Sequence, residues 1–169
     1  MPADLVETER PALFMAKEIL LTRGRVTIVD DEDYDWLNQW KWVFDSGGYA
    51  SRTLNHIMMH RVIMDPPEGV FVDHRNRNKL DNRRSNLRLC TKSQNNMNQS
   101  KRRDNTSGYV GVCWFKPRKK WRVEIRVEGK RIFVGSYANK IEAARFYNMA
   151  AMKYHGYFAK LNEIPSSVQ

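Results

Sequence analysis

Residues 121–127 read Trp-Arg-Val-Glu-Ile-Arg-Val, so that Trp121, Val123, Ile125 and Val127 alternate strictly with Arg122, Glu124 and Arg126. Successive side chains of a strand point to opposite faces, so this segment is expected as a half-buried strand with one apolar and one charged face. "YVGVCWF" (109–115) and "RIFVGSY" (131–137) supply two further strands, set off by "KPRKK" and "EGK" turns. In "NKIEAARFYNMAAMKYHG", Asn139 and Glu142 stand three apart in a capping arrangement, and Gly156 can close the helix. Ile141, Ala144, Arg145 and Asn148 follow helical spacing, with Ala143, Phe146, Tyr147, Ala150 and Ala151 on the flank. Three antiparallel strands covered by one helix make a complete small α+β domain.

The segments before it are shorter and less regular. Two β-like runs surround Arg23-Gly24, and acidic residues 30–35 precede Trp36, Leu37 and Trp40, spaced as one face of a short helix with a negative N-terminus. That position accounts for the acidic cluster better than a metal site does. "KWVF" and "YASRT" flank Ser46-Gly47-Gly48 as a hairpin, and residues 56–64 form a short helix stopped by Pro66-Pro67. Val70-Phe71-Val72 is a strand ending on Asp73-His74, "LRLCT" (87–91) is its successor, and a polar helix follows with Thr91 as its cap. Residues 102–108 read as a linker.

Charge is unevenly placed. Residues 1–45 hold five Lys/Arg and ten Asp/Glu, whereas residues 46–169 hold twenty-four and nine, so a net of −5 precedes a net of +15. A basic body of this kind meets a polyanion, most commonly nucleic acid. Only Cys90 and Cys113 are present, which excludes a four-cysteine zinc site and a disulfide framework; both are expected as small core residues. The acidic N-terminus lacks the basic start of a signal peptide, and no apolar run reaches membrane-span length. A soluble, intracellular protein is expected.

Residues 72–96 concentrate Asp73-His74 and six asparagines among five arginines and two lysines. Short amides compete with the backbone for hydrogen bonds, so such a stretch gains little as regular structure. It suits phosphodiester hydrolysis. His74 can act as a base near neutral pH. Asp73 and a distant Asn can offer oxygen ligands to a hard cation, and a further Asn carbonyl can fix the imidazole tautomer. Asp73 and His74 can serve one site only where their strand ends and the chain turns.

"VDHRNRNKLDNRRSNLRLCTKSQNNMN", with "MHRVIM" before it, resembles the HNH endonuclease family, in particular its phage- and intron-associated homing nucleases. The resemblance implies a ββα-metal fold, two strands and a helix clasping one divalent cation, Mg²⁺ or Mn²⁺. It also implies His74 as general base, Asn86 as the residue orienting it, and Asp73 and Asn95 as metal ligands. Arg77 stands where relatives usually carry Gly, a residue that allows positive φ. Asn76, Asn78, Asn82 and Asn96 are expected as turn or capping residues, His60 as structural, and His155 as a helix-dipole partner.

Residues 107–162 resemble the APETALA2-type DNA-binding domain through "SGYVGV", "WRVEIRV", "RIFVGSY", "EAARFYNMAAMKYHG" and "FAKLN". That implies a sheet laid in the DNA major groove, with Glu124, Arg126, Arg131 and Phe133 at the family's DNA-facing positions. Two first-strand arginines of the plant proteins correspond to Val110 and Cys113, so the plant target does not carry over. Independently of the family, residues 101–131 hold eleven Lys/Arg against three acids. Arg122 and Arg126 project away from the apolar side, and Arg118, Lys119 and Lys120 suit phosphate contacts.

The expectation is thus an α+β chain with an HNH module at 1–103 and a linker plus APETALA2-like domain at 104–169. Such a chain would cut double-stranded DNA in a bacterial or phage-infected cell, one strand at a time, as part of a mobile element. A regulator that binds DNA on a nuclease-like scaffold is the alternative; RNA ranks last because its deep major groove suits a sheet poorly.

Overall fold

Residues 15–53, 56–98 and 105–165 are described by the structure, a computed structural model. They form a mixed α+β chain of small antiparallel sheets and few helices. Contacts divide it into two units, Met1–Asp65 with Asn78–Leu87, and Pro66–Arg77 with Arg88–Gln169. Neither unit is continuous in sequence. Part of the expected linker lies outside the described residues.

In the first unit, β1 (Ala16–Leu20) and β2 (Val26–Asp30) pair antiparallel across a short turn in which Arg23 takes φ 63°. Helix α1 (Asp31–Leu37) opens with Asp31, Glu32 and Asp33 in its first turn, where negative charge favours the exposed amides. It stops before Trp40, which was expected on the same face as Leu37 and instead lies 37 % exposed beneath the Arg52 guanidinium. The cause is local: the buried Trp42 indole donates to the Leu37 carbonyl at 2.8 Å, occupying an acceptor that another helical turn would use. Strands β3 (Val43–Phe44) and β4 (Ala50–Ser51) form the expected hairpin. Helix α2 (Met59–Met64) ends on Asp65 at φ 39°, ahead of Pro66.

Residues 78–87 lie along β2. Ile28 donates to the Leu80 carbonyl and accepts from the Asn82 amide, each at 2.8 Å. Asn82, expected in a turn, is 1 % exposed and donates from its side chain to Thr27 Oγ1 at 2.7 Å. Burial is tolerable there because the amide finds a partner. Asp30 accepts from the Arg84 backbone, and Asp33 from the Arg84 guanidinium, so this part of the acidic cluster is engaged by arginine.

In the second unit, β5 (Phe71–His74) pairs with β6 (Leu87–Cys90), which begins at the boundary, and α3 (Lys92–Met97) follows. Thr91 caps α3 in a reciprocal capping box with Gln94. Strands β7 (Val112–Phe115), β8 (Lys120–Val127) and β9 (Lys130–Tyr137) then make an antiparallel sheet in that order, joined to helix α4 (Lys140–His155). The apolar face of the β8 alternation supplies Val123 and Ile125 to a core with Val112, Ala143, Ala144, Tyr147, Ala150 and Ala151. The small residues of α4 thus form its buried face, while Arg145 is exposed.

The first strand starts at Val112 rather than Tyr109, because Gly111 turns the chain at φ 71°. A Cβ at Gly111 would come 2.1 Å from the Tyr147 ring, so only glycine lets that ring close over the backbone. The tail is tied by amides. Asn162 exchanges hydrogen bonds with Asn148 and with the Val110 backbone. His155 does more than face a helix end: its Nε2 lies 2.8 Å from the Arg126 carbonyl. Cys90 is buried as expected, but Cys113 is exposed, since it alternates with the inward-facing Val112. No helix among the described residues is long and apolar enough to cross a membrane.

Candidate functional site

Strand β5 ends where the chain turns. The His74 carbonyl accepts from the Arg77 amide at 2.9 Å, and Arg77 adopts φ 64°, the left-handed conformation that glycine supplies in the resembling family. Asp73 and His74 are 6 % and 5 % exposed, and a buried carboxylate needs partners. Asp73 has two that the sequence did not single out. Arg88, 8 % exposed, donates from Nε and Nη2 to Asp73 Oδ2 at 2.9 and 2.6 Å. Asn98 Nδ2 reaches Oδ2 at 3.0 Å and Oδ1 at 3.1 Å, and also the His74 carbonyl at 2.9 Å. Oδ2 therefore meets three donor atoms and Oδ1 only one, leaving Oδ1 with acceptor capacity.

Nothing in "LRLC" marks Arg88 for the interior. Alternation would bury Leu87 and Leu89 together, yet Leu89 is 44 % exposed while Leu87, Arg88 and Cys90 are buried. The inward turn of Arg88 follows from the carboxylate waiting on the paired strand. Cys90 lies beside this pair; burial, with Asp73 adding to it, pushes its thiol pKa up, and its Sγ donates to the Phe71 carbonyl.

Asn95 is half-buried on α3, which packs against β5. It precedes Asn98, the residue that ends the helix, by three residues. Its side chain makes no hydrogen bond among the described residues. Asp73 Oδ1 and the Asn95 amide oxygen are hard oxygen donors with capacity left, and this donor set fits a hard divalent cation that keeps several of its waters. No group of three or more His, Cys, Asp or Glu among the described residues could hold a metal.

Asn86 belongs to the first unit. It is 7 % exposed and donates from Nδ2 to the Asp81 carbonyl at 2.7 Å, leaving its carboxamide oxygen as the accepting end. The same loop is stiffened by Arg83, which grips both oxygens of Asp81 at 2.8 Å. Asn78 behaves as a turn residue, accepting from the Leu80 amide. His60 is buried with its ring tilted against Tyr49.

The charged face of the three-stranded sheet carries the other predicted residues. Arg118, Lys119 and Lys120 are exposed around the β7–β8 turn, where Lys119 takes φ 48°. Arg122 pairs with Glu124 and lies between the Phe115 and Phe133 rings, 5.6 and 5.4 Å from their centroids. A bulge after Val123 sets Glu124 opposite Phe133, and Arg126 then faces Arg131 directly. Like charges directly opposite one another weaken a strand pair, unless an anion lies between them.

A family model described as HNH endonuclease matches residues 65–97. The chain is 30 % identical over 154 residues to the protein named uncharacterized HNH endonuclease L560 of Acanthamoeba polyphaga mimivirus, covering 86 % of this chain and 80 % of that one. It is 32 % identical over 106 residues to Protein 3.8 of Escherichia phage T7, covering 62 % of this chain and 87 % of that one. No solved structure matches at a comparable level.

Proposed function

Because the chain belongs to the HNH endonuclease family and is thus a nuclease acting on nucleic acid, we propose that it nicks double-stranded DNA, with Asp73, His74, Asn86 and Asn95 as its centre. Nucleases of this family generally depend on a divalent cation. Asp73 and Asn95 would hold Mg²⁺ or Mn²⁺, in a ββα-metal arrangement of β5, β6 and α3. When bound, the cation would neutralise charge on the phosphate and the leaving oxygen. His74 takes the proton from the attacking water, and Asn86 has the orienting role that the family resemblance implies.

One observation carries the reading. Asp73 and His74 sit at a strand end, and Asn95 lies one helical turn from the Asn98 that grips Asp73, with acceptor capacity left on an oxygen of each proposed ligand. The C-terminal sheet, in this reading an APETALA2-type domain, holds the DNA. Its support is the Arg126–Arg131 juxtaposition on an exposed face, together with Arg118, Lys119 and Lys120 at one edge. Homing as part of a mobile element belongs to the same proposal.

The test is incubation with supercoiled plasmid. Conversion to open circles in Mg²⁺ is expected before any linear form appears, and excess EDTA should stop it. Full cutting in EDTA would remove the cation from the reaction, and cutting of RNA in preference to duplex DNA would reassign the substrate.

A further inference from the structure

Three Arg–Asp forks among the described residues invite comparison. Arg84 places Nε and Nη2 on different oxygens of Asp33, at 2.8 and 2.7 Å. Arg83 does the same to Asp81. Such side-by-side forks engage both carboxylate oxygens and suit a structural pair. Arg88 instead puts both nitrogens on Oδ2 of Asp73. A carboxylate has two equivalent oxygens that exchange by rotation about χ2. Loading one of them with the fork removes that equivalence and leaves Oδ1, which accepts only from Asn98 Nδ2 at 3.1 Å, as the less occupied acceptor.

The arginine is itself held from the far end of the chain. Its Nη1 donates to the Tyr157 carbonyl at 2.7 Å, and its guanidinium lies 4.2 Å from the Phe158 ring centroid and 5.3 Å from that of Tyr157. Arg75, two residues past Asp73, lies 5.0 Å from the same Tyr157 ring. Both aromatic residues belong to the 3-10 turn Gly156–Phe158 that follows α4. A planar group with an edge on a carboxylate, a nitrogen on a carbonyl and a face on a ring has no rotation left.

We infer that Arg88 is a positioning residue for Asp73, and that the turn Gly156–Phe158 holds Arg88 in place. The C-terminal segment then completes the nuclease centre as well as carrying the DNA-holding sheet. A chain cut before β7 would keep Asp73, His74 and Asn95 but lose the support that orients Asp73. The inference rests on the reading of Asp73 as a cation ligand.

The test is Mn²⁺ binding to the full-length protein without DNA, followed by the electron paramagnetic resonance of free Mn²⁺. Arg88→Lys keeps the positive charge, and so its repulsion of the cation, but loses the fork. It should weaken Mn²⁺ binding by about tenfold, the lower end for a residue supporting a metal ligand. Phe158→Leu keeps apolar packing and removes the ring face; a loss of roughly two- to fivefold is expected from a cation–π contact of this kind. The double variant should bind no more weakly than Arg88→Lys alone, because both changes act through one guanidinium. Asp73→Ala provides the reference loss. If Arg88→Lys and Phe158→Leu bind Mn²⁺ as the parent does while Asp73→Ala does not, the positioning role is overturned and the cation site stands. If Asp73→Ala also binds unchanged, the cation reading itself fails, and the inference with it. Should Arg88→Lys not fold, Phe158→Leu decides alone.

Discussion

The sheet β7–β8–β9 buries Val112, Val123 and Ile125 beneath Ala143, Ala144 and Tyr147, whereas the pair β5–β6 buries Asp73, His74 and Arg88. Both regions exclude water, but they do so on different terms. Apolar side chains need only volume and shape, and each buried methylene contributes about 0.8 kcal/mol whatever its neighbour. A buried charge needs a named partner, and removing that partner costs about 3–5 kcal/mol. The polar pair is therefore held by specific contacts to Arg88 and Asn98, and the apolar sheet by general packing. In the proposed reading chemistry falls to the polar region, because oxygen and nitrogen atoms must be present there in defined positions. The sheet can devote its outward face to charge, because its inward face already secures the fold.

This contrast can be broken most decisively at His74. His74→Ala should lower plasmid cutting by about two to four orders of magnitude, as expected for loss of a general base. Duplex affinity should be unchanged, since the imidazole acts on water and not on phosphate. Parental cutting rates in that variant would sink the assignment of the polar pair as the catalytic region. The converse change lies at Gly111. Gly111→Ala forces a methyl into the Tyr147 ring at positive φ, and should destabilise the sheet by about 2–4 kcal/mol. Chemical denaturation would measure it, and a stability equal to the parent would mean that Tyr147 does not pack as described. The smallest effect sharpens the division between the two faces of the sheet. Replacing Arg118, Lys119 and Lys120 by Ala should leave the denaturation midpoint almost unmoved. For every cation that touches a phosphate, its removal should flatten the log–log salt dependence of DNA binding by about 0.9. A salt slope equal to the parent's would take the β7–β8 turn out of the DNA interface.

Much of the fold was legible because its causes are local. The alternation in 121–127 placed β8 and its buried face; Thr91 with Gln94, and Asn139, marked helix starts; Pro66 and Gly156 marked ends. The errors had both local and distant causes. Trp42 ended α1 early, Thr27 drew Asn82 into the interior, and Cys113 was assigned to a core that its strand parity denies it. Residue chemistry pointed to Asp73 and His74, and the family resemblance selected Asn86 and Asn95 among the asparagines for the proposed site.

By itself, the sequence determined which residues could do chemistry and which segments would be strands or helices, since periodicity, capping and turn formation act within a few residues. It could not determine how Asp73 is held. Its partners stand 15 and 25 residues away, and Arg88 is bound in turn to Tyr157, 69 residues further on. Those pairings follow from which backbone segments the fold brings within hydrogen-bond reach. Only the tertiary structure could decide that Arg88, flanked by two leucines, turns inward, that both its bonds to Asp73 fall on one oxygen, and that the other keeps acceptor capacity.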